Sequence, residues 1–154
     1  NCDCVSDDIA KTISDKFKIV SGDILFAMTG AEIGKMGIVE NNGKSLWLNQ
    51  RVGLFKEKFE GAKYLAYLCL LSDFGQDYIL NTATGSAQPN ISSSGIEQCP
   101  FPKLSLQEIQ SKGIILVDIF RKVNYNLGQV KSLQTLRDTL LPKLMNGQAR
   151  VKIG

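Results

Sequence analysis

The sequence predicts an α/β (α+β) fold, in which a small domain of twisted β-sheet and short helices is followed by one long coiled-coil helix. Short runs of β-branched, aromatic and aliphatic residues fill the first 60 residues, and turn residues separate them. A helical spacing of apolar residues begins at Gly61, and a longer one begins at Ser105. We therefore divide the chain into a domain (residues 1–103), a long helix (104–147) and a tail (148–154).

Five strands are expected in the first part of the chain. Their apolar runs lie at residues 17–20, 24–28, 35–39, 46–48 and 52–55. The sequence Asn41-Asn42-Gly43, between two of these runs, is typical of a β-hairpin turn. Several short strands at this spacing indicate a small, strongly curved sheet, either antiparallel or mixed.

Two short helices are expected after the strands. The apolar spacing becomes helical, and Ser72 or Asp73 can cap a second helix that runs to about Leu80. The stretch Asn81–Gly95 is rich in Gly, Ser and Asn, which predicts a long loop. The segment Cys99–Pro102 then favours an extended exit, because each proline biases the residue before it away from helix.

The last helix has a clear start and a long apolar stripe. Ser105-Leu-Gln-Glu108 matches a capping box, in which the hydroxyl and the carboxylate each satisfy one backbone amide of the first turn. Gly113 and Gly128 weaken the helix by about 1 kcal/mol each relative to Ala, and Pro142 is expected to break or kink it near its end. Apolar residues recur at steps of three and four, as in a coiled coil. The expected partner face comprises Ile109, Leu116, Ile119, Phe120, Val123, Leu127, Val130, Leu133, Leu136 and Leu140.

The length of this helix predicts a partner helix. From Ser105 to about Thr139 it would extend about 50 Å at 1.5 Å per residue. A domain of about 100 residues is too small to cover such a length. Packing of the stripe onto its own domain is the alternative, and we favour contact with a partner for the distal half.

Charge is unevenly distributed along the chain, although the net value is only +3. Residues 1–60 carry eight Lys and Arg against nine Asp and Glu, residues 61–104 carry two against three, and residues 105–154 carry eight against three. The globular part is therefore not basic, and composition alone does not indicate a nucleic-acid partner. The positive last region fits a solvated coiled-coil face, or a surface that helps to neutralise DNA or an acidic subunit.

The cysteines are expected to be reduced thiols of a cytoplasmic protein, because no export signal opens the chain. Cys2-x-Cys4 has the form of half a metal site, but the chain contains no histidine, and Cys69 and Cys99 are not paired in sequence. No apolar run reaches the roughly 18 residues that span a bilayer. We expect no metal, no cofactor and no membrane span.

Catalytic motifs are missing from the sequence. Gly30-x-x-x-Gly34-Lys35 is one residue short of a phosphate-binding loop, and Met36 stands where that loop needs Ser or Thr. The glycines more simply permit tight turns between strands. The chain also lacks the cofactor loop and the Asn/Asp-Pro-Pro-aromatic corner of adenine methyltransferases, the acid-x-Lys pair of many nucleases, and any histidine to act as general base. We expect no enzymatic activity.

Five segments in a particular order resemble a known family. They are Gly22-Asp-Ile-Leu-Phe-Ala-Met-Thr-Gly-Ala-Glu-Ile-Gly-Lys-Met-Gly-Ile-Val39, Leu48-Asn-Gln50, Gly85-Ser-Ala-Gln-Pro-Asn-Ile91, Pro100-Phe-Pro102 and Leu136-Arg-Asp-Thr-Leu-Leu-Pro-Lys-Leu-Met-Asn-Gly147. Together they resemble the target-recognition domain and the following helix of specificity subunits from Type I restriction-modification systems. The likeness runs from about Lys18 to Val151, which is most of the chain.

The resemblance implies a sequence-specific DNA-binding module without catalytic activity of its own. Each recognition unit of the family reads one half of a split DNA sequence, and its helix pairs antiparallel with that of a second unit as a spacer. The implied partners are double-stranded DNA, separate methyltransferase and restriction (nuclease-translocase) subunits, and a second recognition unit or a second copy of the chain.

This sequence departs from the family pattern in two respects. It carries one unit where the family has two, and the usual opening of the recognition domain is missing ahead of Asn1. We therefore expect the domain to be incomplete at its N-terminus, and the sequence is compatible both with a natural half-subunit and with a piece of a longer protein. The second departure bears on the integrity of the DNA-reading surface.

Candidate DNA contacts are polar side chains that can reach base edges or phosphates. Amides can pair bidentately with adenine, and cations can meet guanine or phosphate. The candidates are Asn49, Gln50, Gln88 and Asn90 among the amides, and Lys35, Arg51, Lys56 and Lys58 among the cations. Loop amides also commonly brace the backbone, and the resemblance implies that Gly85–Ile91 is scaffold, because it recurs in proteins that read different sequences. Variable readers are then expected within Lys56–Lys63 and before Phe17.

A second function class is compatible with the same residues. The apolar stripe of the last helix could serve a coiled-coil assembly module that does not bind DNA itself. Both readings predict self-association through the helix, and only the first predicts salt-sensitive DNA binding.

Overall fold

The computed structural model describes residues 6–40, 43, 45–85 and 88–148. The chain opens with helix α1 (Asp7–Thr12) and a 3-10 turn (Asp15–Phe17), and a second 3-10 turn lies at Gly30–Glu32. The strands are β1 (Lys18–Ile19), β2 (Ile24–Ala27), β3 (Met36–Ile38), β4 (Leu46–Trp47) and β5 (Val52–Leu54). The later helices are α2 (Ala62–Leu71), α3 (Asp73–Thr82), α4 (Ser93–Glu97) and α5 (Leu106–Met145).

The α+β class is confirmed, and each of the five strands lies within a predicted run. All observed pairings are antiparallel: β3-β2-β5 form one sheet, and β1 pairs with β4 in a second. The predicted hairpin between β3 and β4 is wrong, because these strands belong to different sheets. The segment 39–45 that joins them is longer than the two-residue turn that Asn41-Asn42-Gly43 suggested. Asn41 and Asn42 themselves lie outside the described residues.

Strand β2 is the centre of the domain, and its buried face divides the core into two clusters. Its alternation places Ile24 and Phe26 on the covered face, at 0% and 1% exposure. Phe26 packs with Leu70 and Ile79 of the two middle helices and with Ile91. Ile24 instead packs with Tyr64 and Phe120. One end of β2 therefore meets α5, while the other end points toward the loops around residues 28–30 and 88–91.

Helix α3 begins where capping predicts. The Ser72 hydroxyl accepts a hydrogen bond from the Gly75 amide (3.2 Å) and starts α3. The predicted loop Asn81–Gly95 is shorter than expected, because α3 continues to Thr82 and α4 occupies Ser93–Glu97. The Ser92 hydroxyl caps α4 by accepting a hydrogen bond from the Gly95 amide (3.1 Å). This cap was not recognised in the sequence, because the glycines and serines of the stretch suggested a loop.

Helix α1 was not predicted from the sequence. The apolar pattern of the first 60 residues indicated strands only, whereas Asp7–Thr12 is helical. The available signal was local: Ser6 caps the helix through the Ile9 amide, and Asp8 lies in its first turn.

Helix α5 begins with the predicted capping box. The Ser105 amide donates to the Glu108 carboxylate (2.8 Å), and the Glu108 amide donates to the Ser105 hydroxyl (3.2 Å). Its 40 residues extend about 60 Å. The helix does not break at Pro142 but continues to Met145, because the hydrogen bond lost at the proline lies only three residues before the end, where Gly147 (φ 73°) terminates the helix.

The two ends of α5 have different surroundings. We call residues 106–128 the proximal segment and residues 129–145 the distal segment. Gly113 and Phe120 of the proximal segment are buried against the domain, whereas every residue of the distal segment is exposed. At Gly113 the helix crosses the loop before α2 in direct backbone contact, since a Cβ there would lie 2.4 Å from the Glu60 carbonyl oxygen.

Candidate nucleic-acid interface

Six of the predicted DNA-contacting residues gather where β2 ends. The amide of Met28 donates to the Arg51 carbonyl (3.0 Å), and the amide of Ile91 donates to the Met28 carbonyl (3.0 Å). The amide of Ala27 donates to the Lys35 carbonyl (2.8 Å). Backbone hydrogen bonds therefore join three separate segments of the chain, around Lys35, Arg51 and Ile91, to the end of β2. We call this surface the polar edge, and it comprises Lys35, Asn49, Gln50, Arg51, Gln88 and Asn90.

Glycines in the left-handed region make the turns of the polar edge. Gly30 (φ 78°) and Gly34 (φ 84°) bracket the 3-10 turn between β2 and β3, and the Gly30 amide donates to the Pro89 carbonyl (2.9 Å). A side chain at Gly34 would also approach the Gln76 amide oxygen to 3.1 Å. The structure thus confirms that this Gly-x-x-x-Gly sequence serves backbone turns.

Two residues of the polar edge are engaged locally. The Asn49 side-chain oxygen accepts a hydrogen bond from the Arg51 amide (3.1 Å), which braces the turn between β4 and β5. The Lys35 ammonium forms an ion pair with Glu32, one helical turn away and largely exposed to solvent. Such exposed pairs contribute little energy, so a phosphate can replace the carboxylate at small cost.

The other four residues of the polar edge present exposed side chains. Gln50 and Arg51 lie at the tip of the β4–β5 turn, and Gln88 and Asn90 lie beside it in the loop after α3. The backbone of Asn90 pairs in both directions with Thr84 (2.8 and 2.9 Å), which holds the loop while leaving its side chain outside. Within the described residues, the Arg51 guanidinium has no carboxylate partner, so its positive charge is uncompensated there.

Lys56 and Lys58 lie apart from the polar edge. Because β5 runs antiparallel to β2, Arg51 lies past the Ala27 end of β2, and Lys56 lies past the Ile24 end. Five residues of extended chain separate these two cations by about 15 Å. Lys56 and Lys58 are exposed beside the loop that crosses α5. Lys56 and Lys58 were grouped with Arg51 because they are close to it in sequence. The direction of β5 places them at the opposite end of β2.

The predicted partner face of α5 is also divided. Ile119, Val123, Val130, Leu133, Leu136 and Leu140 are exposed, at 38% to 64%. Phe120 is instead buried at 8% exposure, and its ring stacks on Tyr64 with centroids 4.2 Å apart. Leu116 packs in the same cluster, and Ile109 and Leu127 are half-buried. Phe120 is therefore not available to a partner helix, because the domain already covers it, and Leu116 is covered in part.

Cys69 and Cys99, the two cysteines among the described residues, are free thiols. Burial raises the pKa of Cys69 and of Cys99 above the ordinary thiol value, which keeps both protonated. No group of three metal-ligating side chains occurs among the described residues, and Cys2 and Cys4 lie outside them. In the same part of the chain, no helix is both long and apolar enough to cross a membrane.

Comparison with known proteins connects this geometry to DNA recognition. The sequence model of one family, described as the Type I restriction modification DNA specificity domain, matches residues 6–134. The match includes the strands, the polar edge and most of α5. No curated protein matches the chain. Because the family model covers well over half of the sequence, the chain belongs to the Type I restriction-modification DNA specificity domain family.

Proposed function

We propose that this chain is the sequence-reading component of a Type I restriction-modification complex and that the polar edge contacts DNA. Exposed amides and a guanidinium without a carboxylate partner provide the donors and acceptors that read base edges in the major groove. The observation that carries the proposal is the convergence of three chain segments on the end of β2 within a matched specificity domain. Backbone hydrogen bonds at the strand end hold the three segments that carry these side chains next to one another.

The proposed chemistry is binding only. Methylation and cleavage are assigned to separate methyltransferase and restriction subunits, and this chain presents the DNA to them. The exposed distal segment of α5 pairs with a second recognition unit, either another copy or a further part of a longer chain. Both assignments are carried over from the family and extend beyond DNA recognition itself.

The proposal is tested by selecting bound sequences from a random duplex library with the purified chain, alone and together with its methyltransferase subunit. We expect enrichment of a short motif and an affinity that falls steeply and log-linearly with salt, because phosphate contacts release counterions. The absence of any enriched motif or ternary complex at low salt, with the helix intact, would contradict the proposal.

Substitution at the two ends of β2 locates the reading surface. Arg51→Ala should weaken specific binding by about 10- to 100-fold, since a bidentate base contact is worth about 1–3 kcal/mol. Lys58→Ala removes an exposed cation at the opposite end and serves as the matched control, with a several-fold smaller effect expected. Fluorescence anisotropy with the selected duplex measures both. A larger loss for Lys58→Ala would place the reading surface at the α5 end of β2.

A second candidate function is a coiled-coil assembly module that does not bind DNA. It is favoured by the exposure of the distal leucines together with the net negative charge of residues 1–104. Leu133→Lys combined with Leu140→Lys should abolish self-association under both functions, as measured by sedimentation. Only the DNA-reading function predicts that salt-sensitive DNA binding decreases with it, because paired readers bind with an effective concentration that single readers lack.

A further inference from the structure

The turn between β4 and β5 joins two different sheets, so its shape depends on its own contacts. Strand β4 pairs with β1, whereas β5 pairs with β2, and the connection is therefore a corner between sheets and not a hairpin. The Val52 amide donates to the Asn49 carbonyl (3.0 Å), which closes a four-residue turn with Gln50 and Arg51 at its two central positions. We call residues 49–52 the corner turn.

The backbone of Arg51 is bound on both sides of its Cα atom. Its amide donates to the Asn49 side-chain oxygen Oδ1 (3.1 Å), and its carbonyl accepts from the Met28 amide (3.0 Å). The two planar peptide groups that flank the Arg51 Cα are thereby held, and they fix the direction in which the Cα–Cβ bond leaves the turn. The Arg51 side chain therefore begins from a defined position, although it is itself exposed.

The two hydrogen bonds to Arg51 depend on the sequence in different ways. The bond to Met28 joins two backbones, and Met28 is further held by packing, since a Cβ at Gly53 would lie 3.3 Å from its sulfur. The bond to Asn49 instead needs a side-chain oxygen. Asn, Asp and Ser are favoured at the first position of such turns because they supply one. The residue at position 49 therefore decides whether the amide side of Arg51 is held.

We infer that Asn49 is a positioning residue, which directs the Arg51 side chain toward a base and does not read a base itself. The inference rests on the proposed function and adds how the reading group is presented. An asparagine that reads adenine uses both atoms of its amide in a bidentate contact. The Oδ1 of Asn49 already accepts from the Arg51 amide, so a bidentate contact would require the corner turn to open.

An arginine depends on such positioning because its guanidinium reads guanine through two N–H groups at a fixed spacing. The side chain is also long, and immobilising it on binding opposes the contact. Holding the base of the side chain in place reduces that cost. The brace leaves the charge of Arg51 unchanged, so attraction to phosphates does not depend on it. Asn49 should therefore control discrimination between sequences more than affinity for DNA in general.

The first experiment measures a discrimination ratio, defined as the dissociation constant for a random duplex divided by that for the selected duplex. Asn49→Ala removes the acceptor and should lower this ratio roughly 3- to 10-fold, while the constant for the random duplex stays within about twofold. Asn49→Asp keeps an acceptor for the Arg51 amide and should retain the ratio, although its negative charge weakens binding to both duplexes. An unchanged ratio for Asn49→Ala, or an equal loss for Asn49→Asp, overturns the inference.

Repeating the sequence selection with Asn49→Asp separates positioning from direct reading. A carboxylate accepts from cytosine and cannot donate to adenine, so a base reader at this position would exchange one adenine of the selected motif for cytosine. A positioning residue leaves the motif unchanged. An adenine-to-cytosine change at one position of the motif overturns the inference.

The effect of Asn49 is expected to act through Arg51, and a double-mutant cycle tests this route. In the Arg51→Ala background the corner turn has no guanidinium to direct, so Asn49→Ala should lower the discrimination ratio by less than about twofold. A further loss as large as that in the wild-type background would mean that Asn49 acts by itself. That result overturns the inference.

Asp23 provides a matched control at the other end of β2. Its Oδ2 accepts from the Val20 amide (2.8 Å), so it braces the turn before β2 as Asn49 braces the corner turn. Asp23→Ala should lower stability in urea unfolding by a similar amount and leave the discrimination ratio unchanged. A loss of discrimination equal to that of Asn49→Ala would assign both effects to general destabilisation and overturn the inference.

Amide hydrogen exchange tests the brace without DNA, and it lets the two proposals fail separately. Exchange of the Arg51 amide should become roughly fivefold faster in Asn49→Ala and remain slow in Asn49→Asp; an unchanged rate in Asn49→Ala overturns the inference. If the rates change as expected but the wild-type chain enriches no motif, the bracing of Arg51 stands and DNA reading fails. If a motif is enriched and the discrimination ratio does not depend on residue 49, DNA reading stands and this inference fails.

Discussion

The proximal and distal segments of α5 share a spacing of apolar residues but differ in what covers them. Both carry apolar residues at steps of three and four, so their patterns are alike. The proximal segment places Gly113 and Phe120 in the domain core, whereas the distal segment is exposed at every position. The periodicity of the sequence therefore specifies which residues share a face of the helix. Whether that face is buried depends on the elements that pack next to it.

The largest expected difference between the two segments is in stability. Phe120→Ala removes a ring that stacks on Tyr64 and meets Tyr67 edge-on (5.7 Å), so it should lower the free energy of unfolding by about 3–5 kcal/mol. Leu133→Ala is the matched change in the distal segment and should alter the stability of the dilute monomer by less than about 1 kcal/mol. Urea unfolding measures both. Equal losses would mean that the distal segment is covered by its own domain.

The two glycines of α5 sharpen the comparison further. Gly113→Ala would place a methyl group 2.4 Å from the Glu60 carbonyl oxygen, so it should destabilise the protein by about 1–3 kcal/mol. Gly128→Ala meets nothing within 4 Å and should stabilise the helix by about 1 kcal/mol. Thermal unfolding monitored by circular dichroism gives the sign of each. The same sign for both would remove the evidence for a close backbone crossing.

The smallest expected effect concerns pH at the start of the proximal segment. Hydrogen bonds from the Ser105 amide and hydroxyl, helped by Lys112, lower the pKa of Glu108 from its ordinary value of 4.5. A lowered pKa in the folded state contributes stability above the unfolded value and loses it as pH falls through the folded value. The urea midpoint should therefore fall between about pH 5 and pH 3, and part of that fall should be absent in Glu108→Gln.

The element types were largely predictable, because they depend on local chemistry. The five β-runs, the Ser72 cap and the Ser105-Glu108 capping box all report interactions between residues close in sequence. The pairing of β4 with β1 was not predictable in the same way, since it joins residues almost 30 positions apart. The short helix α4 was not predicted, because its Ser and Gly residues are typical of a loop.

The types of residue in the candidate site could be predicted from the sequence, but their arrangement on one surface could not. The predicted amides and cations are exposed, and their roles in DNA contact stay predictions, whereas their grouping in space required the direction of β5 relative to β2. This direction separated Lys56 and Lys58 from Arg51. Likewise, periodicity alone assigned Phe120 to the partner face, and only the position of α2 shows that Tyr64 covers it.

The crossing of Gly61 and Gly113 has a mechanical consequence. A Cβ at Gly61 would lie 2.1 Å from the Gly113 carbonyl oxygen, so loop and helix touch without side chains between them. Side chains can change rotamer and absorb a displacement, whereas two backbones in contact cannot. Helix α5 extends about 48 Å beyond Gly113. A larger residue at either glycine would force the two backbones apart and so change the angle at which this length of helix leaves the domain.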